Sequence, residues 1–133
     1  MMASIFTKII SGEIPCHKIH EDELFIAFLD IMPVTKGHVL VVTKKEVDNI
    51  FDNDDATLAA MLPFAKKVSK AIEKSFDCDR VGISVIGLEV PHTHMHLMPI
   101  NHLSDMDFTK GKLKLESSEM TEIAEKIKAN LSI

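Results

Sequence analysis

Three histidines at alternate positions, His92, His94 and His96, interrupt an otherwise apolar run that reads VPHTHMHLMP. Imidazole can serve as base, nucleophile or metal ligand near neutral pH, its free pKa being about 6.5. Successive side chains of a β-strand point to opposite faces, so the three histidines would share one face while Thr93, Met95 and Leu97 share the other. A solvent-wetted polar face suits one or two histidines better than three in strict alternation among Val, Met, Leu, Ile and Pro. A metal site suits imidazole as a ligand, but His92 and His96 would stand ~13 Å apart along a strand rising ~3.3 Å per residue. All three cannot converge on one ion with ~2 Å bonds, whereas two of them with a distant ligand could. Nucleophilic catalysis uses all three. His94, with a histidine ~7 Å away on either side, could attack phosphorus while His92 and His96 hold non-bridging oxygens or move protons at the leaving group. Phosphoryl chemistry rests mainly on positioning and charge stabilisation, which imidazoles and strand amides supply without a metal or other cofactor.

The row needs a scaffold, and a chain of 133 residues with 46 % hydrophobic content can build one core of its own, so one domain is expected over 1–133. Ile5, Phe6, Ile9 and Ile10 predict a short amphipathic helix stopped by Gly12 and Pro15. LFIAFLD (24–30) and HVLVVTK (38–44) predict two strands of a hairpin, joined through a turn region containing Pro33 and Gly37. After Asp54 as N-cap, Leu58, Met61, Leu62, Ala65, Val68 and Ile72 recur at helical spacing, with Pro63 kinking this helix or marking its early turns. VGISVIG (81–87) and HTHMHLM (92–98) predict two further strands separated by Gly87 and Pro91. A last helix from near Ser117 or Ser118 carries Met120, Ile123, Ile127 and Leu131 on one stripe, with glutamates early and lysines late as the helix dipole favours. Strands linked by short connections, with helices gathered apart from them, predict an α+β domain with a mostly antiparallel sheet. No glycine-rich phosphate loop of the GxGxxG or GxxxxGK type is present.

Composition narrows the partners. A net charge of −5, from 15 basic and 20 acidic residues, provides no broad basic field for nucleic acid or an anionic membrane. No run approaches the ~20 apolar residues that span a bilayer, and MMASIFTKIISGEIP lacks a long apolar core followed by a small-residue cleavage site. Cys16 and Cys78 have no CxxC partner, which suggests neither zinc nor a disulfide framework. A cytoplasmic protein with reduced cysteines is the expectation.

His92-Thr-His94-Met-His96-Leu-Met resembles the signature of the histidine-triad family, His-φ-His-φ-His-φ-φ with φ apolar, Thr93 being a loose match. IFTKIISGEIP and FLDIMPVTKGHVLVV are similar to that family's N-terminal segments, and the resemblance extends over nearly the whole chain to about residue 100. It implies a hydrolase or transferase of phosphoramidates and related nucleotides of AMP or GMP type, working through a nucleotidyl-histidine. It also implies a homodimer whose sheets join. By the same resemblance His94 is the nucleophile, His96 and His38 match positions that contact the phosphate, and His92 matches the residue supporting the nucleophile's orientation. Ile5, Phe6, Ile9, Leu29 and Ile31 match apolar positions that pack on the base, and Asp30 matches a carboxylate that binds the ribose hydroxyls. Read without the resemblance, those apolar residues are also ordinary core candidates, and Asp30 an ordinary turn former.

The chain departs from the family pattern in two places. A run of Gly-Gln-Ser/Thr-Val, whose polar side chains face the phosphate in many members, is here Gly87-Leu88-Glu89-Val90, and an upstream Asn position aligns with Val81. Glu89 could repel an anion, face a cationic substrate group or act as an acid. Some bacterial members also hold a structural zinc through a CxxC near the N-terminus. Here those positions read Ser4-Ile-Phe-Thr7, and the histidine expected after HVLVVTKK is Glu46, so the comparison implies no metal. A nonenzymatic nucleotide-binding or scaffolding dimer remains the alternative to the enzyme.

Overall fold

The computed structural model describes residues 3–132. Helix α1 (Ile5–Ile10) leads into strands β1 (Lys18–Glu21), β2 (Phe25–Leu29) and β3 (Val39–Thr43). A 3₁₀ turn (Ile50–Asp52) and helix α2 (Asp55–Ser75) follow, then strands β4 (Arg80–Ser84) and β5 (His94–Ile100). A second 3₁₀ turn (Leu103–Met106) and helix α3 (Ser117–Ala129) end the chain. The strands form one antiparallel sheet in the order β1-β2-β3-β5-β4. This is the expected α+β architecture, and the expected hairpin pairs Phe25 with Thr43 and Leu29 with Val39.

β2 and β3 are buried at every position, because both sheet faces are covered. Phe25, Ala27, Leu29, Val39, Val41, Met95 and Leu97 face α2 and α3, meeting Phe64, Val68, Ile72, Met120, Ile123 and Ile127. Ile26, Phe28, Leu40 and Val42 face the other way and pack with Phe6, Ile9 and Ile10 of α1. A strand covered on both faces reads as a continuous apolar run, which is why period-2 alternation is hidden in FIAFL and VLVVT.

Asp54 caps α2 by accepting from the Thr57 amide at 2.7 Å. The helix continues through Pro63 to Ser75. Pro63 is exposed, so water can serve the carbonyl that loses its donor. Two expectations need correction. Leu62, assigned to the buried stripe, is 59 % exposed, and Phe64 takes its place, since Met61, Phe64, Ala65, Val68 and Ile72 follow the 3.6 period and Leu62 falls outside it. β1 was not foreseen, because in KIHE only Ile19 reaches the core and the pairing with β2 is irregular between Lys18 and His20.

The histidine row is also shorter than the alternation predicts. β5 begins at His94, and His92 lies in the bend before it. There the His92 amide donates to the Val90 carbonyl at 2.8 Å. Thr93, the loose match in the motif, has a structural use: its hydroxyl donates to the Val47 carbonyl at 2.7 Å and accepts from Asn53 Nδ2 at 2.9 Å, tying β5 to the segment before α2.

Candidate active site

His94 and His96 point from β5 toward the α1 side of the sheet, opposite Val42 and Leu40 of β3. Beside them stands His38, immediately before β3. Its placement depends on Gly37, which has φ +89° and no room for a side chain, since a Cβ there would lie 2.6 Å from the Phe76 ring. These three histidines and His92 are all buried: His38 is 1 % exposed, His92 0 %, His94 6 % and His96 8 %.

The hydrogen bonds determine which nitrogen of each neutral ring carries the proton. The Val34 amide donates to His38 Nδ1 at 3.0 Å, so His38 carries its hydrogen on Nε2 and donates it to His96 Nδ1 at 2.9 Å. His96 is left with N–H at Nε2. His94 has the opposite arrangement: its Nδ1 lies 2.6 Å from the His92 carbonyl, which can only accept, so Nδ1 holds the hydrogen and Nε2 presents a lone pair. His92 donates from Nε2 to the Thr43 carbonyl at 2.6 Å, and its Nδ1 accepts from the Ser4 hydroxyl at 2.6 Å. One bare nitrogen and one N–H donor therefore stand side by side, the His94 and His96 rings being 5.1 Å apart and nearly perpendicular. The first is fit for attack, the second for holding a phosphoryl oxygen.

Burial supports the neutral forms of His38, His96 and His92. Desolvation, followed by neighbouring positive charge on His96 and Lys112, pushes His38 down to about 3, and desolvation with His94 and Lys112 pushes His96 down to about 4. Desolvation also lowers His92, against the opposing pull of the Thr43 carbonyl and Glu46. Asp30, Oδ2 of which lies 3.7 Å from His38 Nε2, is raised by burial, against the pull of the Met32 amide and Lys112 and with Glu89 adding to the rise. Asp30, His38 and His96 bring three possible ligand atoms within 4.8 Å of one another. The hydrogen shared between His38 and His96 already engages two of them.

The nucleoside-side residues divide. Phe6 meets His94 edge-on at 4.9 Å and Phe28 at 5.7 Å, with Ile9 and Val90 packed on the same cluster. Asp30 is half-buried at the end of β2, its Oδ1 accepting from the Met32 amide at 2.9 Å. Ile5 is 48 % and Ile31 70 % exposed, and Glu89 is exposed. Leu29 is set apart: it is 2 % exposed and its side chain enters the helix-side core, so Phe28 occupies the site face at that end of β2. The ring of His38 is enclosed behind His96.

Three residues escaped the sequence reading. Ser84 pairs with His96 across β4 and β5 and so shares its face, whereas Val81, the residue aligned with the family's polar position, packs on the helix-side core. Phe108, in the loop before α3, stands edge-on to His96 at 4.7 Å and to His38 at 6.1 Å. Lys112 Nζ lies 5.3 Å from the Phe108 ring centre, and the Leu113 amide fastens that loop to the Pro33 carbonyl at 2.8 Å. A cleft of about 400 Å³ reaches His94 between the first 3₁₀ turn and the segment after β4, lined chiefly by Ile50, Phe51, Val85, Ile86 and Leu88.

This set of histidines on an antiparallel sheet defines a histidine-triad protein, and comparison bears it out: residues 11–103 match the family model of the HIT domain, and the chain belongs to that family. It is 36 % identical, over 98 % of its length and all of the relative's, to an uncharacterized HIT-like protein of Borreliella burgdorferi. It is 39 % identical, over 74 % of each chain, to an adenosine 5'-monophosphoramidase of Schizosaccharomyces pombe. Among solved structures, a zinc-bound histidine triad family protein from Mycobacterium smegmatis superposes with a TM-score of 0.81 at 27 % identity, covering 97 % of this chain and 93 % of the other. Among the described residues, no helix is long and apolar enough to cross a membrane.

The positions Ser4, Thr7 and Glu46, which align with the zinc ligands of some family members, do not suit a zinc ion in this chain. Ser4, Thr7, Glu46 and His92 do gather, but as donors and acceptors to one another. Glu46 Oε1 accepts from the Ser4 amide at 2.8 Å and the Thr7 hydroxyl at 2.6 Å, while the Ser4 hydroxyl serves His92. Zinc needs deprotonated or lone-pair ligands, and two neutral hydroxyls already donating hydrogen do not supply them.

Proposed function

We propose that this chain hydrolyses purine nucleoside phosphoramidates or related nucleotides through a nucleotidyl-histidine on His94. The observation that carries the proposal is the opposite presentation of hydrogen on two adjacent rings, a lone pair at His94 Nε2 and an N–H at His96 Nε2. In the first step Nε2 of His94 forms a bond to the α-phosphorus while the bond from phosphorus to the leaving nitrogen breaks, and that nitrogen takes a proton from solvent. The His94 ring becomes cationic, with its Nδ1–H directed at the His92 carbonyl. In the second step the oxygen of a water bonds to phosphorus as the bond from phosphorus to His94 Nε2 breaks; the water gives up a proton to solvent, AMP or GMP leaves, and the Nε2 lone pair is restored. Neutral His96 holds a non-bridging oxygen, and Ser84 offers a hydroxyl on the same face. His38 acts through His96, and His92 through its carbonyl. The base packs on Phe6, Phe28, Ile9 and Val90, with Ile5 and Ile31 closing over it, and the ribose hydroxyls donate to Asp30. The cleft beside Phe51 and Ile86 takes the leaving group, with exposed Glu89 suited to a cationic one.

Two further features support the reading. The phosphoramidase of S. pombe is a relative over three-quarters of this chain. The edge strand β4 leaves Ile83 half exposed next to Leu62 of α2, a surface suited to joining the sheets of two copies, and sedimentation should give twice the monomer mass. The decisive experiment is incubation with adenosine phosphoramidate. AMP should appear, rapidly quenched protein should carry an acid-labile nucleotidyl group on the peptide containing His94, and His94→Ala should lose turnover by several orders of magnitude while still binding AMP. The rival, a nonenzymatic nucleotide-binding or scaffolding dimer, is favoured by Leu88 and Glu89 in place of polar residues. It predicts binding without product.

A further inference from the structure

Beside the site, a cluster of polar side chains runs from buried His92 and Ser4 out to exposed Glu46. His92 is fully buried and both its ring nitrogens are engaged, so its ring is closed to substrate. What it does reach is Ser4, the N-cap of α1, which donates to His92 while accepting from the Thr7 amide at 3.1 Å. Beyond Ser4 stands Glu46, just after β3, whose single oxygen Oε1 collects the Ser4 amide and the Thr7 hydroxyl.

We infer that Glu46 is a positioning residue for the nucleophile, acting through a metal-free clamp in which its carboxylate gathers Ser4 and Thr7, Ser4 fixes the His92 ring, and the His92 carbonyl fixes Nδ1 of His94. The chain of contacts is continuous: Glu46 to Ser4 at 2.8 Å, Ser4 to His92 at 2.6 Å, and His92 to His94 at 2.6 Å. Each link leaves one outcome for the next. Held between Ser4 and the Thr43 carbonyl, the His92 ring fixes its residue in the bend before β5, and the carbonyl then faces His94. Phe6, the second residue of α1, closes against both His92 and His94, with ring centres 5.8 and 4.9 Å away, so the clamp that fixes the N-terminus of α1 also sets the apolar wall of the nucleophile. An exposed glutamate without such a task would be left free by side-chain entropy. The two donors instead hold the Glu46 carboxyl below its ordinary range, the Ser4 amide first. The four positions thus support the nucleophile with hydrogen bonds among themselves and without an ion.

The test compares Glu46→Ala with Glu46→Gln, whose carbonyl can still accept both hydrogens, and reads the free protein as well as turnover. Imidazole ¹H–¹⁵N spectra of the wild type should show a slowly exchanging N–H at Nδ1 of His94 and another at Nε2 of His92. In Glu46→Ala both should exchange faster, and kcat on adenosine phosphoramidate should fall about tenfold with KM within about twofold, the scale of losing a group that orients a reacting ligand. Glu46→Gln should restore both readouts to near wild type, and dialysis against a zinc chelator should leave the wild-type spectrum unchanged. Unaltered exchange and kcat in Glu46→Ala would overturn the inference. So would a Gln variant as impaired as the Ala variant, or loss of the resonances on chelation. The turnover arm rests on the proposed hydrolase activity, whereas the spectra need no substrate, so failure of that activity alone would leave the clamp decided by exchange.

Discussion

Acidification is the perturbation for which the structure gives a magnitude. His38 and His96 are held neutral in the fold, near 3 and 4, whereas an unfolded histidine titrates near 6.5. Between those values the unfolded chain binds protons that the native chain refuses, so stability is complete above about pH 6.5 and is lost as pH falls through the window below it. At about pH 5 each ring costs about 2 kcal/mol, from about 1.4 kcal/mol per pH unit over roughly 1.5 units, or about 4 kcal/mol for the pair. His92, also lowered, adds to the loss. Asp30 acts in the opposite sense: its raised carboxyl contributes stability at low pH that is lost as pH rises through its native value. A loss of about 4 kcal/mol is a large share of a total in the ordinary range of about 5–15 kcal/mol. Urea unfolding from about pH 7.5 to about pH 5 measures it directly. His96→Gln isolates one ring, since a Gln carbonyl can still accept from His38 Nε2, and this variant should lose about 2 kcal/mol less than wild type over the same interval. A wild-type stability that is flat or rises on acidification would refute the assignment of a neutral pair, as would an unchanged slope in His96→Gln.

Gly37→Ala combines a positive φ with a Cβ 2.6 Å from the Phe76 ring, so it should destabilise the fold by about 1–3 kcal/mol and lower AMP affinity through displacement of His38, read by thermal melting and calorimetry. Lys112→Ala removes a positive charge that depresses both His38 and His96. AMP binding should weaken several-fold, less so at high salt, and the imidazole titrations should move upward. Ile86→Ala should widen the cleft beside His94 and raise kcat/KM for phosphoramidates of bulky amines relative to that of ammonia.

What could be read from the sequence follows the range of the interactions involved. Alternation placed His94 and His96 on one face, because period 2 is a local property of any strand. The amphipathic stripe of α3 was legible for the same reason. The neutral chain from Val34 through His38 to His96 was not, since it joins residues 58 positions apart and depends on which nitrogen faces which neighbour. Counting back from the triad reaches Val81 as the counterpart of the family's Asn and passes over Ser84, because the register between β4 and β5, which decides that Ser84 shares the face of His96, is not a local property of the sequence. Phe108 and Lys112 lie in a loop with no periodicity. That the Leu29 side chain enters the helix-side core is not legible, because β2 is buried on both faces, which leaves no polar partner in FIAFL to mark its inner and outer sides.

Two chemically identical side chains can therefore differ in function without any difference in residue type. His94 faces a backbone carbonyl and must donate to it, so its far nitrogen is bare. His96 meets a histidine whose own far nitrogen is engaged by a backbone amide, so it must accept and its far nitrogen carries hydrogen. The difference between a bare nitrogen and an N–H donor is thus determined at the His92 carbonyl and the Val34 amide, neither of which a side-chain motif can specify. It follows that substitutions around His38 or His92 that preserve every triad residue can still alter catalysis, by turning a ring over or by exchanging its proton from one nitrogen to the other.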